Sequence, residues 1–377
     1  MKFLIAPDKF KGSLSAMKVC QAIGRGLHKS GNNLEITFHP LADGGDGSLM
    51  AISNHLHLEN HLVETFDPLG RPISANYYST TDSAFIELAS ASGLVLLAEK
   101  DRNPVFTSTL GTGRMIRDAI SKGYHHIYLF LGGSATNDAG MGIAVALGFQ
   151  FLDEHQQELQ PTGEKLLKVR AIKTKNLFDF EKVNITLLCD VDNLLFGAKG
   201  AAHVYAPQKG ATKEDVLLLD KGLRHFCKII KAETGVEVGN LPGSGAAGGI
   251  GAGLVALCGA RLVNGFKTIA KLTKLEEQIQ SADYVISGEG KLDAQSLHGK
   301  VIHGVASLCK KYQKPLFLFV GKNELEEKDL QSMKIKRVFS ISEKARSLND
   351  AMIRGDYYLE VLGFEFHQLL VKAGKLS

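Results

Sequence analysis

Short apolar runs, closed by polar or glycine-rich turns, alternate along this chain with stretches whose apolar residues recur at helical spacing. The runs at 2–6 (KFLIA), 36–42 (ITFHPLA), 127–133 (IYLFLGG), 185–190 (ITLLCD), 284–290 (YVISGEG), 315–322 (PLFLFVGK) and 338–342 (VFSIS) predict strands. Between the first two, Val19, Ala22, Ile23 and Leu27 fall on one face, which predicts a helix from about Ser13. A second helix is predicted over 112–123, where Ile116, Ala119 and Ile120 share a face and Gly123 stops it. A third is expected over 134–148. Strands alternating with helices predict an α/β fold with parallel strands.

Neither chain end holds enough strands to close a sheet by itself. Together, residues 1–75 and 285–377 are expected to form one doubly wound, parallel-sheet domain, with 76–284 inserted as a second α/β domain. A length of 377 residues suits two domains.

Composition narrows the class. The 44% hydrophobic content supports a sizeable core, and a net charge of +4 without a basic run or stripe points away from nucleic acid. Five scattered cysteines (20, 189, 227, 258, 309), none spaced C-x-x-C, suggest a reducing, cytoplasmic setting without disulfides or zinc. Residues 238–260 are uncharged and long enough to span a bilayer. Eight of them are glycine, though, so a Gly-rich loop entering a buried helix is expected and no membrane association. Glycine is the anomaly, with 40 residues against a usual share of ~7%. It clusters in ADGGDGS, LGGSATNDAGMG and GSGAAGGIGAG.

In open α/β sheets ligands bind beyond the carboxyl ends of strands. Polar groups gather at those positions: Asp8, Lys9, Lys11 and Ser13; Asp43 and Asp46; Ser134, Thr136, Asn137 and Asp138; Asp190, Asp192 and Asn193; Glu289, Lys291 and Asp293. Any one such cluster is explained by turns and helix caps. Their recurrence beside glycines suits a Mg²⁺-bound polyphosphate, with carboxylates on the metal and lysines and N–H groups on the phosphates. Asp138, in the first turn of its expected helix, would repel a bare phosphate, so a metal or hydroxyl is its expected partner, and Ser134 is the expected cap. Cys189 leaves an apolar strand with no histidine nearby and reads as a buried structural thiol.

The stretch GSGAAGG satisfies G-x-G-x-x-G through Gly243, Gly245 and Gly248. No strand precedes it, and no Asp or Glu lies between Gly249 and Leu275, where a ribose-binding acid belongs. The dinucleotide reading fails. A phosphate cradle and plain close packing through small residues remain open for this loop. No Walker A or protein-kinase motif is present.

Seven motifs in order, IAPDKFKGSLSA, PLADGGDGS, DPLGRP, LGGSATNDAGMG, QKGAT, PGSGAAGGIGAG and GEGKLDAQSLHGK, resemble those of the bacterial glycerate kinase family of the type I fold. The likeness runs from residue 2 to about 306. It departs at Asp192 and Leu194, where that family more often has threonine or glutamate and proline, and at Ile302 and His303, near a frequent proline. The resemblance implies a flavodoxin-like domain built from both chain ends, an inserted α/β domain and an active site in the cleft between them. It implies ATP with Mg²⁺, D-glycerate as acceptor, and 2-phosphoglycerate or 3-phosphoglycerate as product, made by a monomer or homodimer.

A small carboxylate substrate needs a cation, so Lys11 with Ser13 and the helix behind it, then Arg71, are the expected anchors, with Lys9, Asn193 and Asp293 beside the substrate. Asp190 is the expected proton acceptor and Asp43 the second choice. Asp46, Glu289 and Asp293 are assigned to magnesium. Gly133, Ser134, Thr136, Asn137, Gly243, Gly245, Gly248 and Gly249 are assigned to the nucleotide. A small hydroxy-acid dehydrogenase and a non-catalytic nucleotide sensor are the competing readings.

Overall fold

The structure, a computed structural model, describes residues 1–29, 34–45, 47–297 and 300–374. Among these, thirteen strands form in chain order: β1 (Lys2–Ile5), β2 (Glu35–Phe38), β3 (Glu59–Phe66), β4 (Pro72–Ser79), β5 (Ser83–Glu87), β6 (His126–Phe130), β7 (Phe149–Leu152), β8 (Ala171–Thr174), β9 (Asn184–Cys189), β10 (Arg261–Asn264), β11 (Tyr284–Leu292), β12 (Leu316–Asn323) and β13 (Ile335–Ser340). The chain divides into two compact units. One comprises Met1–Asp43, Met50–Leu56 and Asn264–Ser377; the other comprises Gly44–Leu49 and His57–Val263.

The first unit holds a five-stranded parallel sheet in the order β13-β12-β11-β1-β2. Counted within the unit this is 2-1-3-4-5, the flavodoxin-like order, whose switch point lies between β1 and β11. Both faces are covered, which is why its strands read as unbroken apolar runs. Phe3, Ile5 and Phe319 pack with Val19, Ile23 and Phe366, while Leu4, Val285 and Leu318 pack with Leu275, Ile279, Ile302 and Val305 on the other face. The helix expected from Ser13 runs Ala16–His28 and is capped by Ser15, whose hydroxyl accepts from Lys18 N.

The second unit holds a six-stranded sheet in the order β10-β9-β6-β5-β4-β3. Strands β5, β6 and β9 are parallel, but β3–β4 and β4–β5 are antiparallel. The β3–β4 hairpin, placed with the chain ends by the sequence reading, therefore belongs to this sheet. Its strands are partly exposed and mix polar with apolar residues, so they lack the apolar runs by which the buried strands are recognised. The unit bounds fall at 56/57 and 263/264 rather than at 75 and 285. Helices Gly265–Leu272 and Leu275–Ser281 join the first unit because Phe266, Leu275 and Ile279 bury against its sheet. Among the described residues no helix is long and apolar enough to cross a membrane.

Candidate active site

In the first unit the switch point carries the acids. Backbone hydrogen bonds continue past β1, from Ala6 N to Ile286 O (2.7 Å) and from Asp8 N to Gly288 O (2.8 Å), which sets Asp8 next to Glu289. Burial, reinforced by the charge of Asp43 and then of Glu289, pushes the Asp8 carboxyl up to about 7. Burial also raises Glu289, against a hydrogen bond from Ser296 and the charge of Lys300; Asp293 and Asp43 add to the rise. Glu289 is 8% exposed, and its Oε1 has no hydrogen-bond partner. The strand ends thus bring together Asp8, Asp43, Glu289 and Asp293. Asp8, one of the strand-end polar residues read from the sequence, is given no role there, because its perturbation comes from burial and from Asp43 and Glu289, more than thirty positions away.

The cations here differ in engagement. The Lys11 ammonium is exposed and has no partner among the described residues. Lys291 is held by Glu324 (2.8 Å) and reaches Asp293 at 3.5 Å. The Ser13 hydroxyl, expected on the substrate, donates instead to Met352 O (2.6 Å), tying its loop to the C-terminal helices. Asp46 lies outside the described residues. Among those residues, no group of three or more His, Cys, Asp or Glu is arranged to hold a metal ion.

In the second unit, β6 ends at Phe130 and runs into Gly133–Asn137, while the neighbouring β9 ends at Cys189 and runs into Asp190–Asn193. The helix expected over 134–148 is confined to Met141–Ala146, capped at Gly140. Ser134 is therefore not its cap. Asp138 is fully buried and structural: Oδ2 accepts from Thr109 N, Thr109 Oγ1 and Gly142 N, and Oδ1 from Gly140 N. Of the two partners expected from sequence, a metal or a hydroxyl, the structure gives a hydroxyl, that of Thr109, and its role is structural.

Lys209, within the QKGAT motif but given no role from sequence, is the unforeseen residue. It is 3% exposed, and its Nζ donates to Ser134 Oγ (2.6 Å) and Thr136 O (2.8 Å). Burial pulls its ammonium down to about 7, with Asp138 acting in the opposite sense. Thr136 Oγ1 and both amide atoms of Asn137, on the loop that Lys209 bonds, and Ser244 Oγ, on the glycine stretch packed against that loop, are buried without partners. An unmet buried amide or hydroxyl costs about 1–3 kcal/mol, so a concentration of them marks a place where a ligand or water completes the bonding.

The glycine loop is a close-packed support. Ala247, Gly248 and Gly249 are left-handed and break the helix Ala246–Cys258 near its start. A Cβ on Gly248 would lie 2.2 Å from Thr136 O and 2.6 Å from Asn137 Cα; one on Gly245 would lie 2.3 Å from Leu194 O. Gly243 and Gly249 sit in the same packed seam, against Val191 and against Ala139. The N–H groups of Ser244, Gly245, Ala246 and Gly249 bond to Leu241, Asn193, Gly243 and Gly245 carbonyls. These four N–H groups are thus spent within the loop, while the Ser244 hydroxyl is buried and unmet. Gly133, also left-handed, turns the chain off β6.

Asn193 and Arg71, expected beside the substrate, have partners within the chain. Asn193 donates to Lys199 O (2.8 Å) and accepts from Tyr205 OH (2.6 Å). Arg71 Nε bonds the buried Asp67 at 2.5 Å, and its Nη1 reaches Asp101 at 3.5 Å. Cys189 is half-buried, and burial pushes its thiol up to about 11, as a structural cysteine should be.

A flavodoxin-ordered sheet with acids at its switch point, joined in one chain to a second α/β unit with a buried lysine under a glycine-supported loop, defines an α/β phosphotransferase. The chain belongs to the glycerate kinase family, whose model matches residues 3–370. It is 41% identical over 360 residues to a glycerate kinase of Halalkalibacterium halodurans, covering 95% of each chain. It is 39% identical to the glycerate 2-kinase of Escherichia coli K12, over 95% of this chain and 94% of that one. A crystal structure described as a glycerate kinase 2 of Salmonella typhimurium LT2 matches with a TM-score of 0.85 at 36% identity, covering all of both chains. The protein is a kinase, and ATP is its expected co-substrate.

Proposed function

We propose that this enzyme transfers the γ-phosphoryl group of ATP to the 2-hydroxyl of D-glycerate, giving 2-phosphoglycerate and ADP. The bond formed joins the glycerate oxygen to the γ-phosphorus; the bond broken joins that phosphorus to the β–γ bridging oxygen; the hydroxyl proton passes to a carboxylate. The observation that carries this reading is the set of buried, unpartnered side-chain groups at Thr136 and Asn137, on the loop bonded by Lys209, and at Ser244, on the glycine stretch packed against that loop. The name of the Escherichia coli relative favours the 2-position.

Nucleotide phosphates would be held by Ser134, Thr136, Asn137 and Ser244, with Gly243, Gly245, Gly248 and Gly249 shaping the loop behind them. Asp190 would accept the proton, since it leaves the strand adjacent to the one that feeds this loop; Asp43 is the second candidate. Lys11, whose charge is not engaged, would anchor the glycerate carboxylate with Lys9 near it. The hard carboxylate oxygens of Glu289 and Asp293 suit magnesium, and the unmet Glu289 Oε1 is the donor most in need of a ligand. A metal held there would supply Lewis-acid charge neutralisation to the oxygens it binds. The cysteines are all unpaired, four of them buried, which fits a cytoplasmic enzyme.

ADP release measured with ATP, Mg²⁺ and D-glycerate, against L-glycerate and acid-free controls, tests the reading, with ³¹P NMR of the product. Release dependent on D-glycerate and a 2-phosphate ester signal are expected. Folded, ATP-binding protein that releases no ADP would sink it.

A further inference from the structure

We infer that Lys209 is the positioning residue of the nucleotide-binding loop, a buried cation that fixes Ser134–Asn137 and keeps one N–H for an anionic ligand, the polyphosphate of the nucleotide. The inference rests on the kinase reading above and names a residue for it.

An ammonium carries three donors and no acceptor. Two are spent on Ser134 Oγ and Thr136 O, so the lysine bridges a side chain and a carbonyl of one loop and sets its path. The third has no acceptor among the described residues, although the side chain is 3% exposed. The charge that faces it is Asp138, on the same loop, and its oxygens are already bonded to Thr109, Gly140 and Gly142. A buried cation with one unspent donor is costly unless an anion completes it. Three further residues carry unmet buried groups, Thr136 and Asn137 on this same loop and Ser244 on the glycine stretch packed against it. The Thr136 and Ser244 hydroxyls and the Asn137 amide nitrogen can all donate to phosphate oxygens, while Asn137 Oδ1 needs a hydroxyl or water.

The backbone holds the lysine in place. The short turn Pro207–Lys209 ends at Gly210, whose left-handed conformation (φ +94°) and close approach to Arg102 O (2.1 Å from a would-be Cβ) leave no room for a side chain. Lys209 is thus presented from rigid chain, as a preorganised electrostatic group requires.

The test is steady-state kinetics and calorimetric ATP titration of Lys209→Met and Ser134→Ala, with melting temperatures for each. For Lys209→Met, the KM and Kd for ATP should rise roughly 10- to 100-fold, the loss of a charge-assisted bond, while the KM for D-glycerate stays within about twofold. Ser134→Ala should raise the KM for ATP by a smaller factor, roughly three- to tenfold. Unchanged ATP affinity in both variants would overturn the inference. So would a rise confined to D-glycerate, which would make Lys209 a carboxylate anchor. If Lys209→Met does not fold, Ser134→Ala decides by the same criterion. If the wild type binds ATP but shows no glycerate-dependent turnover, the kinase reading fails while calorimetry still judges Lys209.

Discussion

Asp138 and Thr109 are joined twice: Oδ2 of the buried carboxylate accepts from the Thr109 backbone N–H at 2.8 Å and from its hydroxyl at 2.7 Å. The same hydroxyl accepts from Ile143 N at 3.0 Å, so the pair ties the start of helix Leu110–Ser121 to helix Met141–Ala146. Burial raises the carboxyl pKa and the four donors oppose it.

Asp138→Ala is therefore expected to cost about 3–5 kcal/mol, because several donors lose their acceptor at a fully buried position. Thr109→Val, which keeps the N–H, should cost about 1–3 kcal/mol. Urea denaturation measures both, and a loss below about 1 kcal/mol for Asp138→Ala would show that the network is dispensable.

Gly248 tests the seam. Its φ of +76° and the 2.2 Å approach of a Cβ to Thr136 O predict that Gly248→Ala displaces the loop carrying Thr136 and Asn137. A stability loss of roughly 2–4 kcal/mol should accompany weaker ATP binding. Calorimetry showing wild-type ATP affinity would mean that the loop position does not matter to the nucleotide.

Asp8 makes stability depend on pH. Its folded pKa, about 7, lies above the ordinary 3.8. Below 3.8 both states hold the proton and Asp8 contributes nothing. As pH rises from there to about 7 the unfolded chain ionises first, so stability falls, and the loss is complete above that window. Asp8→Asn should thus be more stable than wild type by roughly 1–3 kcal/mol near pH 8, with the gain shrinking toward pH 4. Chemical denaturation across that range gives the difference; a gain independent of pH would exclude Asp8 as its source.

Lys11 and Arg71 separate by their engagement. Lys11→Ala should raise the KM for D-glycerate roughly tenfold or more. Arg71→Ala should leave it within about threefold, because that guanidinium serves Asp67. Equal effects on KM from the two variants would refute the distinction.

Much of this protein was readable along the chain. Buried parallel strands declare themselves as apolar runs, since both faces lie under helices, and polar residues after such strands mark where ligands bind. The seven ordered motifs identified the family, and the failed dinucleotide context at Gly243 excluded the obvious alternative. What stayed hidden depended on distance in sequence. The β3–β4 hairpin lacks an apolar run and finds its sheet only through β5. Ser13, Arg71 and Asn193 have the right chemistry for a substrate, yet Met352, Asp67 with Asp101, and Lys199 with Tyr205 already occupy them. Lys209 takes its perturbed charge from burial against Ser134 and Thr136, more than seventy residues away. The local pattern of residues determines elements and motif positions because those depend on near neighbours. Which polar group is spent and which is left for a ligand is decided only when the tertiary structure sets its partners and removes its water.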